Sequence, residues 1–240
     1  MTGPTRRSSR TMGRPPVLLV ILAVIGIGWF AIPLVGIVAR TPWGDLPSLL
    51  SDQVARDALR LSLIVSVITT VIATILGIPV AWILARTEFP GRSIVRGLVL
   101  LPLVLPPVVG GAALLFALGR QGLVGAPLYQ ATGIVLPFSL WGVVIATTFV
   151  AMPFLIITVE GALRNLDPRY EGAAATLGAS RWRVLFKVTI PMIAPSLAAG
   201  LALTWARALG EFGATITFAG NLQGRTQTLP LAVFIALESD

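Results

Sequence analysis

The chain has 240 residues, of which 55% are hydrophobic and only 12% are charged, and its mean hydropathy is +0.89. Soluble domains carry about 25% charged residues, so this composition excludes an ordinary water-soluble globule. The absence of histidine removes the usual metal ligand and the usual general base. The net charge of +8 reflects basic residues at the ends of apolar runs, so nucleic acid is not the expected partner.

Long apolar runs predict five membrane-spanning helices. Four runs contain no Asp, Glu, Lys or Arg, and each exceeds the roughly 20 residues that a spanning helix needs. These runs are 15–39, 61–85, 97–119 and 121–159. The first run is longer than the apolar core of a signal peptide, about 7–15 residues, so it is interpreted as a spanning helix. In chain order, the predicted spans are 17–39, 58–85, 97–118, 134–158 and 188–212.

The distribution of basic residues predicts the orientation of these helices. Twelve of the 18 Lys and Arg residues lie in the segments 1–14, 86–96 and 164–187. Cytoplasmic segments are enriched in Lys and Arg, so these three segments are placed inside, with residues 1–16 as a basic cytoplasmic tail. Residues 40–57 and 119–133 are then expected to form external loops.

The apolar segment Leu229 to Leu237 is too short to cross a membrane. Its nine residues would extend about 14 Å as a helix, whereas the hydrocarbon core is about 30 Å thick. With five spans, the chain would end outside. We therefore expect that a sixth helix is missing after Asp240.

A small-residue segment, YEGAAATLGAS at residues 170–180, stands out within the longest basic loop. Asp167 can cap a helix and Pro168 is tolerated at its first position, while Gly178 is a natural stop. The pattern predicts a short cytoplasmic helix over 168–177. Local chemistry alone leaves two interpretations open, an ordinary interfacial helix and a docking helix for a cytosolic partner.

The spacing of this segment carries a family resemblance. Glu171 is followed by Gly172 and Ala173, Gly178 comes seven residues after the glutamate, and nine further residues lead to Val-Thr-Ile-Pro ending at Pro191. The pattern resembles the EAA loop of ATP-binding cassette (ABC) importer permeases, with glycine in place of the first alanine and with Val and Ile in place of Ile and Leu. We call residues 168–191 the EAA-like loop.

Three further stretches resemble permeases of the molybdate type, to which sulfate/thiosulfate permeases are closely related. They are LPLVLPPVVGG at 101–111, ARALGEFGATITFAGN at 206–221 and GRTQTLPLAVFIAL at 224–237. The resemblance covers most of 17–240. It implies an all-α membrane protein with the type I ABC importer fold, in which 17–54 form the first helix and outer loop and 55–240 form the permease core.

The resemblance also implies partners and roles. Two copies would form a pathway for molybdate or tungstate in a prokaryotic cell membrane, two ATPase subunits would dock in the cytoplasm, and an extracytoplasmic binding protein would deliver the anion. ATP and magnesium are expected on the ATPase and no cofactor on this chain, because no Gly-Lys-Ser/Thr phosphate loop surrounds its only lysine, Lys187. The expected ATPase-coupling residues are Glu171, Gly172, Ala173, Ala174, Gly178 and Pro191.

A second candidate site lies at the end of the fifth predicted span. Arg207 and Glu211 are four residues apart and share one helix face, and charges at membrane depth usually face a bundle interior or an aqueous path. They are either a structural ion pair or part of a gate in which Arg207 attracts a passing oxyanion. The nearby glycines would let helices of two subunits pack closely in such a gate. The candidate gate residues are Arg207, Gly210, Glu211, Phe212 and Gly213.

Prolines in the third predicted span should kink or interrupt it, because proline cannot donate a backbone hydrogen bond. These are Pro102, Pro106 and Pro107, and the adjacent Gly110 and Gly111 permit a close helix crossing. Either packing or lining of the pathway would explain this composition.

Three alternative functions remain open at this point. The first is a sulfate/thiosulfate permease of the same fold. The second is an ion-coupled secondary transporter, which would commonly show internal repeats and intramembrane acids; no repeat is visible, and Glu211 is the candidate acid. The third is a purely structural membrane protein, which leaves the spacing of the EAA-like loop unexplained.

Overall fold

The computed structural model describes residues 16–239, and within them the regular structure is entirely helical. Contacts divide the chain into two compact units, residues 1–49 and 50–240. The basic tail expected at 1–16 lies outside the described residues, apart from Pro16. The number of five spans stays a prediction.

The first unit is built around one long apolar helix, α1 (Val17–Arg40). Its 24 residues extend about 36 Å, and a helix satisfies all of its own backbone groups, which lipid requires. The backbone N–H of Thr41 closes the helix by donating to Ile37 O at 3.0 Å. The span predicted at 17–39 is confirmed as a helix.

A short 3₁₀ turn, Trp43–Asp45, and α2 (Leu46–Ser51) follow α1. The second unit then contains the remaining helices, in chain order α3 (Gln53–Arg86), α4 (Arg92–Val104), α5 (Pro107–Leu118), α6 (Gly125–Thr132), α7 (Leu140–Asn165), α8 (Arg169–Thr176), α9 (Arg181–Val184), α10 (Ile190–Leu209), α11 (Gly213–Phe218) and α12 (Leu229–Ser239). A π-helical turn, Leu185–Thr189, joins α9 to α10 without a break, and we call it the π segment.

In the described part of the chain, four helices are long and apolar enough to cross a membrane. They are Val17–Arg40, Gln53–Arg86, Leu140–Asn165 and the continuous run Arg181–Leu209. The third predicted span, 97–118, is instead divided between α4 and α5. Leu105 adopts an extended conformation, Pro106 is the N-cap of α5 and Pro107 is its first residue. Pro106 and Pro107 therefore interrupt this span, as the sequence predicted, whereas Pro102 lies inside α4.

The core of the second unit lies where α3, α7 and α10 pack together. Small residues permit the close approach: a Cβ on Gly77 would lie 3.2 Å from Ile156 Cγ1, and one on Gly200 would lie 3.2 Å from Leu155 Cδ1. Such small-residue contacts are typical of helix packing in membranes. The buried side chains of this core are Ala73, Ala81, Leu84, Leu155, Ile156, Val159, Leu163 and Ile193.

The fourth span differs from its predicted bounds of 134–158. Helix α7 begins at Leu140, because Phe138 has a positive φ of 56° and Ser139 then caps the helix through a 3.1 Å hydrogen bond from Gly142 N. It continues to Asn165. The helix therefore carries Glu160, which lies beyond the predicted end of the span.

Three other boundaries also differ from the sequence prediction. The expected external loops at 40–57 and 119–133 contain helical segments, α2 with the start of α3 in the first and α6 in the second. The second span is longer than 58–85, since Asp52 caps α3 at Ala55 N. The fifth, predicted at 188–212, ends earlier because α10 stops at Leu209, before Gly210.

Candidate functional site

The EAA-like loop forms the short helix that the sequence predicts. Asp167 Oδ1 accepts a 2.9 Å hydrogen bond from Arg169 N at the start of α8. At the other end Gly178 has φ of +81°, and Ala179 N donates to Ala174 O at 3.1 Å. Glycine adopts this left-handed conformation without the clash that a Cβ would cause. The stop is confirmed. Asp167 bonds an amide at the helix start as predicted, but α8 begins at Arg169, so Pro168 precedes the first helical residue.

The chain then re-enters the bundle through α9 and the π segment. Ser180 caps α9 by accepting a 3.4 Å hydrogen bond from Arg183 N. The π segment ends at Thr189, which is buried, and Pro191 lies exposed in the first turn of α10. A single π turn inside an α-helix is rare and is frequent at functional sites.

The Glu171 carboxylate contacts two other residues of the same chain. Its Oε2 lies 3.2 Å from Arg86 Nε at the end of α3, and its Oε1 accepts a 2.7 Å hydrogen bond from Thr189 Oγ1. The two charged side chains are only 12% (Arg86) and 20% (Glu171) exposed. The sequence identified Glu171, but it gave no sign of these two partners.

The small residues of α8 are largely exposed, and Gly172 and Ala175 also line a cavity between α8 and α3. Gly172, Ala173 and Gly178 are exposed, Ala174 is half-buried, and a Cβ added at either glycine would meet nothing within 4 Å. Leu177 is 89% exposed. This small, apolar face has room for another surface to approach closely.

A buried acid that the sequence analysis missed lies on α7. Glu160 is 2% exposed, its Oε1 is 2.7 Å from Arg164 Nη2 in the next turn, and Arg96 Nη2 is 3.5 Å away. Arg164 also donates to Leu84 O at the end of α3, as does Arg92. The spacing of Glu160 and Arg164, four residues apart, was the available signal.

The candidate gate residues lie at the far end of α10. Arg207 Nη2 is 2.6 Å from Glu211 Oε2, and Glu211 Oε1 accepts a 2.7 Å hydrogen bond from Ala214 N. Glu211 is 1% exposed. Both carboxylate oxygens therefore have partners, and the glutamate ties the end of α10 to the first turn of α11.

The glycines of this segment differ in their surroundings. A Cβ on Gly213 would lie 2.8 Å from Pro107 Cβ, so the close approach is to α5 of the same chain, whereas Gly210 is exposed. Gly111 of α5 meets α11 in the same way, since a Cβ added there would lie 2.7 Å from Thr217 Cβ. The ring of Phe212 lies 5.0 Å from that of Phe234.

The structure does not bring the two candidate sites together. The 20 residues of α10 separate Thr189 from the gate residues by about 30 Å. Among the residues described, no group of three or more His, Cys, Asp or Glu side chains could hold a metal ion. The arrangement is one of a short, exposed helix, α8, followed by a continuous helix that leads to a distant charged turn.

Comparison with known sequences identifies relatives. Residues 73–236 match the family described as binding-protein-dependent transport system inner membrane component. The chain is 46% identical over 220 residues to the molybdenum transport system permease protein ModB of Mycobacterium tuberculosis, which covers 91% of this chain and 82% of that protein. It is 41% identical over 184 residues to the sulfate transport system permease protein CysW of Synechococcus elongatus, covering 77% of this chain and 64% of that protein.

The fold is similar to a solved importer. The crystal structure of a bacterial alginate ABC transporter, in complex with an alginate pentasaccharide-bound periplasmic protein, superposes with a TM-score of 0.69 over 92% of this chain and 84% of that chain, at 18% identity. The helical architecture and the apolar spans make the chain a multi-pass membrane protein. With two thirds of its length matched by the family, the chain belongs to the binding-protein-dependent transport system inner membrane components.

Proposed function

We propose that this chain is the permease subunit of an ATP-driven importer for molybdate, with tungstate as an alternative cargo. The observation that carries the proposal is the 46% identity to a molybdenum permease over 91% of the chain. The intact spacing of the EAA-like loop and its folding into α8 support the ABC class of importer.

Two ATPase subunits dock on α8 in the proposed complex. The exposed face around Gly172 and Ala173 lets a partner surface approach closely, and the exposed Leu177 supplies an apolar contact. The N-terminus and α8 are placed in the cytoplasm by the basic residues that flank them. ATP and magnesium bind to the ATPase, and this chain binds no cofactor.

Two copies of this chain form the pathway, and an extracytoplasmic binding protein delivers the oxyanion on the opposite side. ATP binding draws the two ATPase subunits together, α8 of each copy moves with its ATPase, and the pathway alternates from inward-facing to outward-facing.

In this scheme the paired side chains of Arg207 and Glu211 keep the pathway closed. Arg207 is already neutralised by Glu211 at 2.6 Å, so it attracts an anion only when the pair separates. If the pair separates because Glu211 moves, the hydrogen bond from Ala214 N to Glu211 is also lost and the start of α11 is freed. Passage of the anion is thereby linked to movement of α11.

Sulfate is the second candidate cargo, because the chain is 41% identical to a sulfate permease over 77% of its length. The two oxyanions have the same tetrahedral shape and charge. The binding protein is the component in which the two anions would mainly be distinguished.

The test is uptake of radiolabelled molybdate by cells that lack their own transporter and express this chain with its ATPase and binding protein. We expect uptake that tungstate inhibits and a tenfold excess of sulfate does not, and that stops when the phosphate-loop lysine of the ATPase is replaced. Inhibition by sulfate alone would assign the chain to sulfate. Uptake that persists without an active ATPase and collapses with the ion gradient would assign it to ion-coupled transport.

A further inference from the structure

We propose that the C-terminal ends of α3 and α7 and the N-terminal end of α4 bind the headgroup of an anionic phospholipid, with Arg96 and Arg164 holding its phosphate. The proposal rests on the proposed function only for the orientation, which places these helix ends at the cytoplasmic face of the membrane. It concerns neither the cargo nor the ATPase.

Three arginine side chains meet around two oxygen atoms at this place. Arg92, the first residue of α4, donates from Nε and Nη2 to Leu84 O near the end of α3, at 3.1 and 2.5 Å. Arg164 Nη2 donates to the same oxygen at 3.3 Å. Arg164 and Arg96 also share Glu160 Oε1, at 2.7 and 3.5 Å. Like charges therefore lie side by side, and we call Arg92, Arg96 and Arg164 the basic cluster.

The basic cluster carries more positive charge than its surroundings neutralise. In the described part of the chain, Glu160 is the carboxylate that pairs with it. Glu88 and Asp167, the acids of the adjoining loops, are exposed, and Asp167 accepts a hydrogen bond from Arg169 N instead. Three guanidinium charges thus face one carboxylate, so a bound anion would offset their mutual repulsion.

Capping of α3 explains only part of this arrangement. Basic side chains satisfy the last carbonyl groups of a helix, and Leu84 O is such a group. A guanidinium has five N–H donors, however, and the contacts above use only one or two nitrogen atoms of each arginine. Arg96 and Arg164 are 46% and 38% exposed, so donors remain for a ligand. Arginine binds phosphate well, because its planar fork can donate two parallel hydrogen bonds.

The start of α4 adds to the attraction for an anion. The helix follows Gly91 without a side-chain cap and has no acid in its first turn. The N-terminal end of a helix carries partial positive charge, which disfavours basic residues there and favours an anion. Arg92 and Arg96 lie in the first two turns of α4, so a phosphate would offset both the helix dipole and the arginines.

The rest of α4 suits the tails of a lipid. Beyond Arg96 the helix has exposed apolar side chains at Leu98, Leu101 and Val104. Acyl chains can lie along these residues while the phosphate stays at the start of the helix, whereas a soluble anion would gain nothing from them. Basic pockets between spanning helices on the cytoplasmic side are a known type of site for anionic headgroups. Charge and apolar surface together therefore favour a lipid over a free phosphate.

Native mass spectrometry of the purified full chain in a neutral detergent tests the proposal. The chain is titrated with phosphatidylglycerol or with phosphatidylcholine carrying the same acyl chains, which separates the headgroup charge from the tails. We expect phosphatidylglycerol to bind more tightly by about tenfold. Arg96→Gln should weaken phosphatidylglycerol binding about fivefold, the share of one basic residue near an anionic lipid, and should leave phosphatidylcholine binding unchanged.

Two further variants make this result specific. Arg183→Gln removes an exposed arginine of α9 on the same proposed side of the membrane, and it should leave both affinities unchanged. Arg92→Gln, measured in parallel, should show a loss similar to that of Arg96→Gln. The test therefore does not depend on the folding of one variant, which is checked for each by its melting temperature.

Three results would overturn the proposal. Equal binding of the two lipids would remove the headgroup from the site, and an equal loss in Arg183→Gln and Arg96→Gln would show only a general attraction to basic residues. Displacement of phosphatidylglycerol by inorganic phosphate at the same concentration would assign the basic cluster to a soluble anion. Because the assay contains neither molybdate nor ATPase, failure of the wild-type complex to import molybdate, with the lipid result as expected, would instead refute the proposed function.

Discussion

Replacing Gly213 by alanine tests whether α5 and α11 interlock through their glycines. The added Cβ would lie 2.8 Å from Pro107 Cβ and 3.1 Å from Val108 N, whereas carbon atoms in contact prefer about 3.5–4.0 Å. The obstructing atoms belong to a proline ring and to backbone, so α5 must move as a unit. Overpacking of this kind costs about 1–3 kcal/mol.

For a chain of this size, that cost corresponds to a fall of roughly 2–12 °C in the apparent melting temperature. The six tryptophans allow the transition to be followed by intrinsic fluorescence of the purified chain in a fixed detergent. The matched control is Gly97→Ala in α4, where a Cβ would meet nothing within 4 Å. In this control the higher helix propensity of alanine should raise the free energy of unfolding by up to about 1 kcal/mol. If Gly213→Ala melts at or above the wild-type temperature, the interlocking of α5 and α11 does not hold in solution.

Two further predictions concern the EAA-like loop and the orientation. Gly178→Val places a β-branched side chain at φ of +81°, which strains the backbone by about 1–2 kcal/mol. We therefore expect the variant to insert into the membrane but to lose ATPase copurification and uptake. Normal copurification and uptake would show that Gly178 is not part of the docking surface. Reporters fused after Arg14 or Lys187 should read cytoplasmic and those after Gly125 or Asn221 external, and the opposite readings would invert the orientation.

Features fixed by neighbouring residues were predictable from the sequence. The helix α8 follows from Asp167 at its start and Gly178 at its end, because caps and stops act over a few residues. The interruption of the third span follows from consecutive prolines, which remove backbone donors wherever they occur. The family spacing then assigned a docking role to the same short helix. The start of α7 at Leu140 was also marked locally, because Pro137 disfavours helix in the residue before it and Ser139 is a favourable N-cap; hydropathy alone extended the predicted span back to 134.

Features fixed by distant residues were not predictable. The contact between Glu171 and Arg86 joins residues 85 positions apart in the sequence. Such a pair depends on how α3 and α8 are arranged in space, and no local pattern encodes that.

The buried acids bear on the choice between ATP-driven and ion-coupled transport. Within the described residues, Glu160 and Glu211 are the charged side chains that are buried. An ion-coupled carrier commonly uses an intramembrane acid that exchanges a proton or cation during the cycle. Each of these acids lies within 2.7 Å of an arginine four residues away in sequence, Glu160 of Arg164 and Glu211 of Arg207.

Each acid also has a second partner on another element, Arg96 for Glu160 and the amide of Ala214 for Glu211. Removing one member of a fully buried pair typically costs about 3–5 kcal/mol. Here the arginines are 26% to 46% exposed, so the cost of freeing either acid is smaller. The arginines therefore favour a role in holding helix ends together. Opening of the Arg207–Glu211 pair in the proposed gate would carry the same kind of cost, so it requires an energy input such as the proposed ATPase would supply through α8.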